Sequence, residues 1–216
     1  FAHARGNDSI RRSPSWHETD NLFGRTNYDG TQKSLFTNVL FATAVGGNAD
    51  HKLNLGASYQ YDKYAERLDD TNFDRVESVP GVYAEYVFNG VEQREAGDGK
   101  QKTSGFGMLA GARLDRHNEF GLIFTPRLNL KYNFTDNQIL RLSAGRGLRT
   151  AQIIAENIAV LASNRLLVVQ EELNMEDAWN FGMNYTQNFD LLGKKASFVA
   201  DLYRTEFRNQ VVMDME

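Results

Sequence analysis

Phe124-Thr125-Pro126-Arg127-Leu128-Asn129-Leu130-Lys131-Tyr132-Asn133-Phe134 alternates without a break. One face reads Phe, Pro, Leu, Leu, Tyr, Phe. The other reads Thr, Arg, Asn, Lys, Asn. A period of two means a strand with one apolar and one wet face. Its length is also that of a tilted strand crossing a bilayer, roughly 9–11 residues. Working outward, the pattern recurs. Leu53 to Tyr61 alternates with Asn54 to Asp62, Phe106 to Leu114 with Gly107 to Asp115, and Trp179 to Tyr185 with Asn180 to Thr186. Ala196, Phe198, Ala200 and Leu202 face away from Ser197, Val199, Asp201 and Tyr203. Weaker alternation covers 82–88 and 140–144. Residues 31–45 read as a strand whose apolar face the sequence leaves open. About eight strands result.

The connections sort into two kinds. Gly46 to Asp50, Thr135-Asp136-Asn137 and Leu192-Gly193-Lys194 carry turn chemistry. The alternate connections, 1–30, 63–78 and 146–175, are long, and Asp115 to Glu119 is the short exception. Short turns at one end and long loops at the other is the organisation of a bacterial outer-membrane barrel. The charged segment 89–103 falls on the short-turn side and breaks this scheme unless strands extend through it. Ile154, Ile158 and Leu161 recur at helical spacing, with Asn157 and Asn164 as capping candidates, so a short helix is expected in the long loop.

Composition agrees. Mean hydropathy is −0.51, and no apolar run approaches the roughly 18 residues of a membrane helix. Barrel strands escape that test because their two faces average out. Cysteine is absent, which excludes disulfides and thiolate metal sites. The net charge of −4, with signs interspersed, gives no reason to expect nucleic-acid binding. Phe1-Ala2-His3-Ala4-Arg5 opens no secretory signal, so an internal fragment is expected. A soluble β-sandwich binding module also alternates, but its strands run about 5–6 residues. The aromatics near strand ends (Tyr59, Tyr61, Tyr86, Phe88, Tyr132, Phe134, Tyr185, Phe189) sit where an interfacial girdle belongs.

Four phrases carry a family resemblance. Leu142-Ser143-Ala144-Gly145-Arg146-Gly147-Leu148-Arg149-Thr150-Ala151 resembles the strand-to-loop signature of TonB-dependent receptor barrels, with Leu148 where that family usually has Phe. Gly111-Ala112-Arg113-Leu114-Asp115 followed by Phe124-Thr125-Pro126-Arg127-Leu128 resembles the preceding hairpin. Leu173-Asn174-Met175-Glu176 leading into Trp179-Asn180-Phe181-Gly182, then Asp201-Leu202-Tyr203-Arg204-Thr205-Glu206-Phe207, resemble the next two strands. The match runs in order over about residues 105–212, is less specific over 31–92, and is lacking over 1–30.

The resemblance implies an outer-membrane barrel of about 22 strands with a plugged lumen. It implies energy-dependent uptake of a siderophore, cobalamin or another large nutrient. Its partners would be outer-membrane lipid, the plug domain of the same full-length chain, a TonB-type energy-transducing protein and the nutrient ligand. The expected fold class is therefore all-β: an antiparallel transmembrane β-barrel segment of about eight meander strands, with a short helix in a long external loop. Residues 1–216 form one partial barrel domain, with 1–30 as external loop or disordered and 31–216 as barrel strands. Cut from a larger barrel, the sheet would be open, with two exposed edges.

On the wet face, Arg113, Arg127, Asn129, Lys131, Arg141, Asn180, Asn184 and Asp201 are lumen-lining candidates. They would pair with an acidic plug, guide substrate or simply solvate the lumen. Arg146, Arg149 and Asn157 are loop or ligand candidates. The arginine fork suits carboxylates and phosphates, and bracing the loop is the plainer use. Asp69, Asp70, Asn72 and Asp74 are rich in oxygen but lack EF-hand spacing and read as a solvated loop. The four histidines have no zinc spacing, and no nucleophile elbow or catalytic triad stands out. Neither an enzyme, a cofactor nor a metal is expected.

Overall fold

The computed structural model describes residues 3–4, 6–7, 9–23, 26–95, 101–156 and 173–212. Nine long strands follow one another as an antiparallel meander: β1 (Ser9–Phe23), β2 (Thr26–Val45), β3 (Asn48–Leu68), β4 (Arg75–Glu95), β5 (Gln101–His117), β6 (Gly121–Thr135), β7 (Gln138–Arg149), β8 (Glu176–Leu191) and β9 (Lys194–Asn209). They form one sheet, and among the described residues its two ends do not meet. The expected fold class holds, with nine strands rather than about eight. The extra one is β1. Residues 9–23 lie inside the stretch expected as external loop or disordered, yet they pair with β2 from Ser9↔Leu40 to Phe23↔Thr26.

Register shows why the sequence alternates. Phe88, Met108, Leu130, Leu142, Met183 and Leu202 stand opposite one another across six strands. So do Val39, Ala57, Val82, Leu114 and Phe124. These rows share one face and are open: Leu142 is 40% exposed, Phe124 49% and Leu202 64%. The other face buries many polar residues, among them Asp62 at 5%, Glu77 at 7% and Asp115 at 7%, beside a few apolar ones such as Leu68 and Ile123. A β-sandwich would bury the apolar rows against a second sheet. Here all the described strands share one sheet, and its apolar face is bare. The same register settles residues 31–45. Leu35, Thr37, Val39, Phe41 and Thr43 share the apolar face, whereas Phe36, Asn38 and Leu40 take the wet one.

At the short-turn end, hairpins close through Gly46-Gly47 (φ 63° and 76°) and Leu192-Gly193 (φ 53° and 74°). Two residues at positive φ give the turn whose twist matches the strands. At the loop end, strands outrun their sequence signal. The loop expected over 63–78 contracts to the connection between Leu68 and Arg75. At the short-turn end, residues 89–95 and 101–103 are likewise strand, while 96–100 lie outside the described residues. The expected helix appears as one turn, α1 (Ile153–Glu156). Ile158, Leu161, Asn157 and Asn164 lie outside the described residues. Ile154, 2% exposed, packs with Tyr28, Leu68 and Phe73, so α1 sits on the β2–β3 end of the wall.

Two prolines shape this end. The β4–β5 ladder stops at Gly81↔Asp115, next to Pro80. The β6–β7 ladder stops at Arg127↔Gly145, next to Pro126. Proline has no N–H to continue a ladder. Side chains take over beyond each stop. Asn118 donates to Val76 O (2.7 Å) and accepts from Ser78 N (2.8 Å). Arg146 Nη1 donates to Phe124 O (3.0 Å).

Candidate functional site

Past the proline stops, the wet face opens into a groove of about 790 Å³. Its walls come from β2 to β7 and the start of the 150–175 loop, including Tyr64, Glu77, Tyr83, Arg113, Arg127 and Arg149. Two glycines make room for its lining. Gly56 lies opposite Tyr83, and a Cβ there would come within 2.1 Å of the ring. Gly81 lies opposite Asp115, where a Cβ would meet the carboxylate at 1.8 Å.

Arg75 is the hub of one side. It donates from Nη1 to Glu66 Oε2 (3.0 Å) and from Nε to Glu77 Oε1 (3.1 Å). Its guanidinium lies 3.8 Å from the Tyr64 ring centroid. Glu66 also accepts from Tyr28 OH (2.9 Å). Burial, then the Glu66 carboxylate, pushes the Tyr28 phenol up to about 12, so it stays a donor at any physiological pH. His117 is buried, accepts from the Glu119 amide at Nδ1 (3.1 Å) and stands 3.8 Å from Glu77. Two buried carboxylates this close require the intervening cation.

The arginines that line the groove are also matched. Arg113 donates to Ser58 Oγ (2.7 Å) and Asp115 Oδ2 (2.6 Å), and its guanidinium lies 5.9 Å from the Tyr83 ring centroid. Arg127 pairs with Glu85, which also accepts from Asn54 (2.9 Å). Arg146 grips Asp177 with two parallel bonds of 2.9 Å. That fork holds the Asp177 carboxyl, above Trp179 on β8, below the usual carboxylate range. Arg149 pairs with Glu176 and with Glu156 of α1, and Gln152 reaches Tyr64 OH (3.4 Å). The loop stem is thereby tied to the wall from both strands that carry it.

The sequence candidates thus divide. Arg113, Arg127, Arg146 and Arg149 line the one groove. Asn129, Lys131, Arg141 and Asn184 line a second recess of about 550 Å³ nearer the short turns. There Arg141 donates to Asn184 (3.0 Å), which donates to Asp201 (2.7 Å). Asn180 accepts from Thr205 (2.8 Å) on the same face. Asn157 lies outside the described residues. Of the acidic loop, Asp69 accepts from Asn27 N (2.8 Å) and Asp74 from Glu66 N (3.0 Å), so these oxygens hold the hairpin. Sequence reasoning missed Tyr28, Glu66, Arg75, Glu77 and the partners of the arginines. Arg75–Glu77 and Arg113–Asp115 are neighbours two apart on one strand face, whereas Tyr28–Glu66, Arg127–Glu85 and Arg146–Asp177 span a register that only the folded sheet reveals. Chemically, the groove is a polar wall of guanidinium–carboxylate pairs and phenols, suited to hydrogen bonding with a polar guest.

A family model described as TonB dependent receptor-like, beta-barrel, matches residues 2–216. The siderophore receptor PirA from Pseudomonas aeruginosa has a similar structure, with a TM-score of 0.62 and 14% sequence identity. The likeness covers 99% of this chain and 42% of that receptor, so the chain spans less than half the receptor's length. No curated protein matches the sequence significantly.

Proposed function

The chain belongs to the TonB-dependent receptor β-barrel family, and from that premise we propose that it is the wall of a bacterial outer-membrane receptor that imports a siderophore, cobalamin or another large nutrient. The role is transport rather than catalysis. The observation that carries this reading is the inverted polarity of the sheet. Apolar rows are bare on one face, while Glu66, Glu77 and Asp115 are buried on the other. Such a wall suits lipid outside and a wet lumen within.

In the full-length protein, a plug domain of the same chain would fill the lumen, and a TonB-type partner would supply the energy. Arg113, Arg127, Asn129, Lys131, Arg141, Asn180, Asn184 and Asp201 would face the plug and the passing nutrient. Arg146 and Arg149 would hold the external loop through Asp177, Glu176 and Glu156, and the exposed side of Arg149 would meet anionic groups of the ligand. The similarity to a siderophore receptor favours a siderophore among the possible cargoes.

Uptake is the test. Cells carrying the full-length receptor should accumulate a labelled ferric siderophore or cobalamin, and should lose that ability without the energy-transducing partner. The receptor should fractionate with the outer membrane. A full-length protein that stays monomeric and soluble without detergent would rule the reading out.

A further inference from the structure

Lys33 on β2 and Lys63 on β3 are directly opposite each other in the sheet, and both are exposed. Their sequence neighbours fix the face. Gln32 bonds Tyr64 OH (3.3 Å) and Ser34 bonds Asp62, all on the wet side. The two lysines therefore point the other way, onto the apolar face. Like charges directly opposite across an antiparallel pair repel. Among the described residues, no acid pairs with either lysine. Asp62, Glu66 and Glu77 lie behind the sheet, and outward-facing Asp29 is four residues up β2, opposite Arg67. By register, β1 adds Trp16 opposite Lys33 and Glu18 opposite Thr31. Arg116 continues the basic band on β5, where it is exposed opposite Leu122.

The height of the pair on the wall is informative. Below Lys33, the outward positions run Leu35, Thr37, Val39, Phe41, Thr43 and Val45. Below Lys63 they run Tyr61, Tyr59, Ala57, Leu55, Leu53 and His51. Each stretch is the roughly 9–11 residues that cross a bilayer as a tilted strand. Tyr61 and Tyr59 close the upper end, with Tyr59 OH 3.1 Å from Ser78 Oγ, as interfacial aromatics do. The two ammonium groups thus emerge one step above the hydrocarbon edge, on the loop side, where lipid headgroups lie.

We propose that Lys33 and Lys63 form a binding site for the phosphate of an anionic lipid of the outer leaflet, resting on the outer-membrane reading above. One phosphate oxygen can face each ammonium, which turns the repulsion of the pair into a clamp. The acyl chains then lie along Val39, Phe41, Leu55 and Val82. A water-borne anion has no use for that apolar floor, whereas a lipid needs both parts.

The test uses the full-length receptor, delipidated in detergent and titrated with diphosphoryl lipid A while native mass spectrometry counts bound lipid. The unaltered receptor retains one lipid at this site. The Lys33→Gln/Lys63→Gln double variant binds it about 30-fold more weakly, and Lys33→Arg/Lys63→Arg keeps it. Each single Gln variant gives an intermediate loss, which serves if the double variant fails to show the gel shift of a folded barrel. Unchanged affinity in the folded Gln variants overturns the site, as does equal binding of a phosphate-free lipid or displacement by equimolar inorganic phosphate. A receptor that needs no detergent would instead overturn the membrane reading itself.

Discussion

The two ends of this wall are held by different means. Near the short turns, the β8–β9 ladder runs from Tyr185↔Ala200 to Leu191↔Lys194 without interruption and closes in a two-residue hairpin. Near the loops, the β4–β5 and β6–β7 ladders stop at Pro80 and Pro126, and side chains carry the load. Backbone bonds make the regular end indifferent to which polar residues stand there. The open end depends on named residues: Arg75 between two buried glutamates, Asn118 across a broken ladder, Arg146 and Arg149 at the loop stem.

Substitutions can break or sharpen that contrast. The largest effect is expected for Arg75→Ala, which leaves Glu66 and Glu77 buried and unpaired; removing one partner of a buried pair costs about 3–5 kcal/mol. Urea unfolding of the full-length receptor in lipid vesicles measures it, and a loss below 1 kcal/mol would mean that the hub is not structural. Next comes Leu130→Arg, in a regular outward row. A lipid-facing arginine near the midplane costs about 2–4 kcal/mol, whereas Asn129→Arg on the wet face should cost far less. Equal costs would show that the two faces have been misassigned.

Asn118→Ala should follow, since it removes both bonds that replace the β4–β5 ladder. Each is worth about 0.5–1.5 kcal/mol, and hydrogen exchange at Ser78 should rise while exchange at Leu202 stays fixed. The smallest effect belongs to Asp177→Asn. The Asp177 carboxyl titrates lower in the folded protein than free, so its pairing stabilises above the ordinary carboxylate range and fades as pH falls through the lowered value. The variant should therefore lose a little stability at neutral pH, match the unaltered protein at acid pH where Asp177 is protonated, and so flatten the acid limb of the stability profile.

Alternation was legible wherever one face is apolar and the other wet, as in 124–134 and 53–61. It failed where both faces are wet. Residues 63–68 and 75–78 extend the strands toward the loops but carry polar residues on both sides, so they read as loop. β1 was hidden for a related reason, since Arg11-Arg12-Ser13-Pro14-Ser15 lacks the pattern and Pro14 argues against a strand, although edges tolerate it. Residues 31–45 were ambiguous because Phe36 and Leu40 face the wet side, where Phe36 lines the groove. The arginines of the site could be named because their chemistry is conspicuous. Their carboxylate partners could not, because Glu85 reaches Arg127 across 42 residues through a strand between them.

The proline stops have a mechanical consequence. A continuous ladder passes strain along its length, because each bond is aligned by the one beside it. At Pro80 and Pro126 that alignment ends along one seam each: beyond them the β4–β5 and β6–β7 seams are bridged by side chains, an amide at Asn118 and a guanidinium at Arg146, while the β3–β4, β5–β6 and β7–β8 ladders run on. Those two seams can therefore give way without unzipping their neighbours, while the strands nearer the short turns stay locked in backbone ladders.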